Sequence, residues 1–199
     1  MTYTFQIDLN VLKAVSTAMS NEETRYYLNG IHFTATKAGK LAIEATNGHL
    51  AMRAYIGHEV PEGFAAIVPD TLIKALVKLP KRIEVIEIEI NQDAGTAKAF
   101  ASNGTIEQSL VGGTFPETSR IFPSKTNGKA ARFNGKYVAD IDKAGKLLEA
   151  DPIFHFNGEA VNAVLFQGRR DIICAIMPIN NHQKNVDPAG LAQTIDVCF

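Results

Sequence analysis

Along the first sixty residues the apolar positions change period. Tyr3-Thr4-Phe5-Gln6-Ile7-Asp8 alternates and predicts a strand. Leu9, Leu12, Val15 and Met19 then recur at spacings of three and four, which predicts a helix with Asn10, Lys13 and Thr17 on its other side. Strand-like runs follow at 26–34, 40–46 and 50–56, and Asn47-Gly48 marks a tight turn between the last two. The order then returns. Phe64-Ala65-Ala66-Ile67-Val68-Pro69 leads into a helix with Leu72, Ile73, Leu76 and Val77 on its buried side, Asp70 placed to cap it and Pro80 to stop it. Runs at 83–90, 96–101 and 105–111 come next, the last two split by Asn103-Gly104. A third round opens with Ala130-Ala131-Arg132-Phe133 and continues with a helix carrying Tyr137, Val138, Ile141 and Leu148. Runs at 152–156, 160–166 and 171–179 complete it, separated by Asn157-Gly158 and Gln167-Gly168.

The pattern therefore predicts an α+β fold made of three repeats, each a strand, a helix and three strands, with a period of roughly 60 to 66 residues. Gly112-Gly113, Pro116, Pro123 and Asn127-Gly128 interrupt the second and third repeats as a linker. Four segments result: 1–115 with two repeats, a 116–129 linker, a third repeat at 130–180 and a tail at 181–199, where the periodicity dissolves.

Composition narrows the function. With 46% hydrophobic and 21% charged residues in 199, the chain is an ordinary folded protein. No apolar run approaches the roughly 20 residues of a membrane helix, and the first residues lack the pattern of a secretory signal. Two cysteines, Cys174 and Cys198, do not make a disulfide framework, so a cytoplasmic setting is expected. Cys174 lies in an apolar strand and reads as core. The histidines His32, His49, His58, His155 and His182 lack metal-ligand spacing, and there is no phosphate-binding loop or nucleophile elbow. No catalytic residue, metal or cofactor is expected.

A net charge of −1 excludes binding to nucleic acid through bulk positive charge, so such binding needs segregated charges. Lys74, Lys78 and Lys81 make one stripe on the second helix. Lys136, Lys143 and Lys146 make another on the third, diluted by Asp140 and Asp142, while Lys13 is the sole basic residue on the first. An array of this kind holds phosphates without reading bases.

Thr24-Arg25-Tyr26-Tyr27-Leu28-Asn29-Gly30-Ile31 and Ala45-Thr46-Asn47-Gly48-His49-Leu50-Ala51 resemble the middle domain of the bacterial sliding clamp, the beta subunit of DNA polymerase III. Ala66-Ile67-Val68-Pro69, Phe115-Pro116-Glu117, Ile121-Phe122-Pro123 and Ile176-Met177-Pro178-Ile179 follow in the family's order. The resemblance implies a DNA-clamp fold, with antiparallel sheets outside and helices lining a hole around double-stranded DNA. It implies that the lysine stripes, with Arg25, Tyr26 and Tyr27, face DNA. It also implies a cleft for short peptides of polymerases and clamp loaders, walled by Leu28, Thr46, Gly48, His49, Leu50, Ala51, Pro116, Arg120, Ile121, Met177, Pro178 and Ile179. The family's turn Asp is Asn47 here, and the Arg after its His is Leu50. Family chains carry six units and close as dimers, so three units per chain predict a homotetramer whose third unit pairs with that of another copy. The implied function is a non-enzymatic processivity factor of the nucleoid. The alternative is a clamp-derived adaptor or antagonist that binds the peptides without encircling DNA.

Overall fold

A computed structural model of the chain describes residues 1–80, 83–101 and 104–179. Lys81 and the 181–199 tail lie outside the described residues. In the first unit, β1 (Thr2–Asp8) runs into α1 (Leu9–Ser16), followed by β2 (Gly30–Ala35), β3 (Lys40–Thr46) and β4 (Leu50–Glu59). The second unit has β5 (Ala65–Pro69), α2 (Asp70–Val77), β6 (Val85–Asn91), β7 (Thr96–Ala101) and β8 (Gly104–Ser109). The third has α3 (Gly135–Leu148), β9 (Pro152–His155), β10 (Asn162–Phe166) and β11 (Ile172–Ile176).

Units one and two exchange strands. β1 pairs antiparallel with β6 of the second unit, and β5 pairs with β2 of the first. The result is a four-stranded sheet, β1-β6-β7-β8, and a seven-stranded sheet, β5-β2-β3-β4-β11-β10-β9. The inward faces of these strands are alternating apolar positions, and Phe5, Ile7, Phe33, Ile43, Met52, Ile88 and Phe166 bury in one continuous core with Leu9, Leu12, Leu72 and Leu76 of the helices. Gly30 permits the exchange at its tightest point, where any Cβ would collide with the Val68 carbonyl oxygen on β5. Unit three joins unit one through the antiparallel ladder of β4 and β11, which matches Ile176 to Leu50 and Ile172 to Ala54. α1 packs against both α2 and α3, so the three helices form one layer behind the sheets.

Three expectations change. Residues 26–28 belong to a 3-10 helix, Glu23–Leu28, rather than to a strand. There Arg25 pairs with Glu22 three residues earlier, and Leu28 packs in a small cluster with Ile67 and Phe115. Asp70 is the first residue of α2, not its cap, and its carboxylate pairs with Lys74 at 2.5 Å. Residues 130–133 belong to no strand among the described residues.

The cap that sequence did not single out is Asp8. Its Oδ1 accepts from the backbone N–H groups of Asn10 at 2.7 Å and Val11 at 3.2 Å. Asp8→Ala is expected to cost about 1 kcal/mol, read as a lowered urea midpoint with an unchanged m-value.

Candidate peptide cleft and helix layer

The turn between β3 and β4 is built locally. Asn47 Oδ1 accepts from the N–H groups of His49 at 3.0 Å and Leu50 at 2.9 Å, so the amide supplies the acceptor a carboxylate would. Gly48 takes φ of +89°, a region that disfavours residues with a Cβ. This shape presents His49 and Leu50 toward unit three. The His49 ring stacks on Tyr137 of α3 at 5.4 Å, and its carbonyl accepts from Met177 N at 2.8 Å.

A cavity of about 260 Å³ opens at that joint. Nine of the twelve residues expected in a peptide cleft surround it: Leu28, Thr46, Gly48, His49, Leu50, Ala51, Pro116, Ile121 and Met177. Arg120, Pro178 and Ile179 do not line it. Arg120 is exposed and pairs with Glu117 at 2.7 Å, and Ile179 turns back to donate its N–H to the Arg132 carbonyl. Val161 and Ala175 of unit three, with Arg25, Tyr27, Glu117 and Thr118, complete the wall. Leu50, in place of the family's Arg, is buried with 1% exposure, which leaves this side apolar.

Arg25 and Tyr27 line the cavity, on the 3-10 helix Glu23–Leu28. The Glu22 carboxylate takes both Arg25 Nε and Nη2, at 2.8 and 2.7 Å, and this hydrogen bonding raises the guanidinium pKa. Tyr26 is 56% exposed beside Tyr27.

On the helix layer the lysines differ from one another. Lys13 is buried, and its ammonium donates to the Leu79 carbonyl at 3.1 Å, beyond the end of α2. It ties α1 to the segment after α2, which corrects its assignment as a DNA-facing residue. Lys74 and Lys146 are exposed but paired with Asp70 and Asp142 one turn earlier. Lys78, Lys136 and Lys143 are exposed. Burial pushes the Asp140 carboxyl up, against the opposing pull of Lys136 and Lys143.

Sequence reasoning missed a charged network on the outer face. Glu44 on β3, 3% exposed at its side chain, has Oε1 2.9 Å from His32 Nδ1 on β2. Its Oε2 accepts Arg53 Nε of β4 at 2.8 Å and the Thr118 hydroxyl. Arg53 also donates to Thr118 Oγ1 at 2.9 Å and lies 5.4 Å from the centre of the Phe122 ring. Phe115 stacks on the His32 ring at 4.6 Å. The start of the linker is thus strapped across the sheet by three neighbouring strands, and Pro116, Glu117, Thr118 and Ile121 of this strap form one wall of the cavity. A wider hollow of about 890 Å³ flanks the network on the outer face. The available signal was a charged side chain inside each of two apolar runs, Glu44 within 41–46 and Arg53 within 50–56.

Comparison with known proteins places this architecture. Residues 7–117 match the family described as DNA polymerase III beta subunit, central domain. A beta sliding clamp of Staphylococcus aureus is 30% identical over 141 residues, covering 69% of this chain and 36% of the relative. One from Rickettsia bellii is 29% identical over 134 residues, covering 65% and 35%. The chain thus spans about a third of the length of the curated relatives it matches. In fold it is similar to the crystal structure of a Bartonella birtlesii sliding clamp bound to griselimycin, with a TM-score of 0.74 at 20% identity over 89% of this chain and 66% of that one. A Borrelia burgdorferi DNA polymerase III subunit beta gives 0.75 at 16% identity, over 89% and 63%. With more than half of its length matched to the central domain, and with the exchanged-strand architecture in place, the chain belongs to the DNA polymerase III beta subunit family.

Proposed function

We propose that the chain is a sliding clamp: several copies form a ring around duplex DNA, and the cavity between units one and three docks short apolar peptides of a polymerase and a clamp loader. The observation that carries this reading is lateral growth. Unit three extends the sheet of a complete two-unit body through β4 and β11 while all three helices stay in one layer. Repetition of that step curves a wall of sheets around a helix-lined space. If twelve units close it, four copies are needed.

The reading requires no chemical step, only binding and topology, in the cytoplasm where the nucleoid lies. Lys78, Lys136 and Lys143 supply the positive side chains of the inner layer, with Lys74 and Lys146 partly neutralised by their carboxylates. A loosely held duplex follows from so sparse an array, because affinity scales with the number of phosphates neutralised.

Lys78→Glu combined with Lys143→Glu is expected to shorten the lifetime on nicked circular DNA about tenfold at low salt and to flatten its salt dependence. Gel filtration of the complexes without crosslinking, at successive times and salt concentrations, reads both. Linearising the DNA should release the unmodified protein, which slides off an end. Equal retention on linear and circular DNA would contradict a ring, and peptide binding without any circular retention would favour the adaptor.

A further inference from the structure

In each unit, the residue three positions before the helix meets the end of that unit's last strand or the residues just after it. The Gln6 carbonyl oxygen lies 3.1 Å from His58 Nε2, on β4. Ile67 O accepts from Val111 N at 2.9 Å, just after β8, and Arg132 O accepts from Ile179 N at 2.8 Å, just after β11. Residues 130–133 therefore occupy the first-strand position of unit three even though they form no ladder. In units one and two the first strand pairs with the second strand of the other unit. The second strand of unit three is β9; among the described residues no strand pairs with its outer edge along Pro152–His155, and the same chain closes only the stretch beyond it, where Gly128 N donates to Phe156 O and Gly158 N to Lys129 O, each at 2.9 Å. Ile153 and Phe156 beside that edge are 45% and 39% exposed.

The register supplies the contact. One cross-strand row runs Ile67, His32, Glu44, Arg53, Ile173, Leu165, Ile153. About the β4–β11 joint, Arg53 corresponds to Ile173, Glu44 to Leu165 and His32 to Ile153. His32 pairs with Ile67, and the counterpart of Ile67 is Arg132. We infer that a second copy of this chain completes unit three by twofold strand exchange, residues 130–133 of each copy adding to β9 of the other, with Arg132 opposite Ile153. An exposed strand edge is a ready template for such pairing, and self-complementary surfaces close as twofold dimers.

The inference rests on the ring reading for its consequence. α1 and α2 lie side by side in one layer, so the exchange axis crosses that layer. An equivalent axis between copies exchanges the two faces of a ring, and neighbouring peptide clefts would open on opposite faces.

The test is Arg132→Cys with Ile153→Cys in a Cys198→Ser background, oxidised with copper phenanthroline. Most of the chain should migrate as a covalent dimer that reductant returns to monomer, because directly opposed strand residues lie about 4.5–5.5 Å apart at Cβ. Either cysteine alone should leave it monomeric on the gel. No double-cysteine crosslink in a protein that sediments as an oligomer and is retained on circular DNA would overturn the exchange while leaving the ring. Sedimentation of the unmodified chain guards against a variant that fails to fold: a monomer at micromolar concentration overturns the exchange directly.

Discussion

Glu44→Ala should destabilise the protein by about 3–5 kcal/mol, among the largest effects of any single substitution outside the apolar core. The carboxylate is almost fully buried and faces two partly buried cationic or protonatable side chains, His32 and Arg53. Its removal leaves the Arg53 guanidinium with the Thr118 hydroxyl and the Phe122 ring as its neighbours. The strap at 115–122 loses its anchor as well, so the cavity wall formed by Pro116 and Ile121 should loosen. Chemical denaturation reads the stability, and hydrogen exchange across 115–122 reads the strap. Glu44→Gln keeps the shape and should cost less.

The same group gives a pH dependence with a definite sign. Burial pushes the Glu44 carboxyl up, but the hydrogen bond from His32, the charge of Arg53 and the hydrogen bond from Thr118 outweigh it and hold the carboxyl below its ordinary 4.5. Between the folded and unfolded values the unfolded chain binds more protons, so folding stability rises with pH there. The contribution is complete above about pH 5 and is lost as pH drops through the folded value. The unfolding midpoint of the unmodified protein should therefore fall more steeply below about pH 5 than that of Glu44→Gln. Parallel curves would mean that Glu44 titrates normally.

The second large effect concerns the cavity. Met177 lines it, is 45% exposed and donates its backbone N–H to His49, so its side chain can be changed without opening the core. Met177→Lys should weaken binding of a clamp-binding peptide with a Leu or Phe anchor at least 30-fold, the loss expected when a charge replaces an apolar hot spot worth about 2 kcal/mol. The melting temperature should stay within about 2 °C. Calorimetry with such a peptide measures the first and scanning fluorimetry the second. Unchanged affinity would remove this cavity as the docking site.

Much of the architecture was legible in the chain. Period-two and period-3.6 patterns placed the three described α-helices and most strands, because each helix and sheet turns its apolar positions toward one shared core. Strand exchange was not legible. β1 pairs with β6, about eighty residues away, and a local apolar pattern carries no record of which distant edge it meets. The charged row of His32, Glu44 and Arg53 stayed hidden for the same reason, since it exists only once β2, β3 and β4 are in register. Lys13 misled because period alone placed it on the outer side of α1, whereas α1 lies between α2 and α3 and is buried almost all round. Short motifs on the β3–β4 turn, the linker and the end of β11 led to nine residues that line one cavity, and they converge because β4 pairs with β11. Arg120 fell outside because the one-turn 3-10 helix Thr118–Arg120 points it to solvent.

Native mass spectrometry of the unmodified chain at micromolar concentration tests the ring most directly. The account predicts an assembly of four copies of the 21.6 kDa chain, with dimers as the only abundant intermediate. A protein that stays monomeric under these conditions would contradict it.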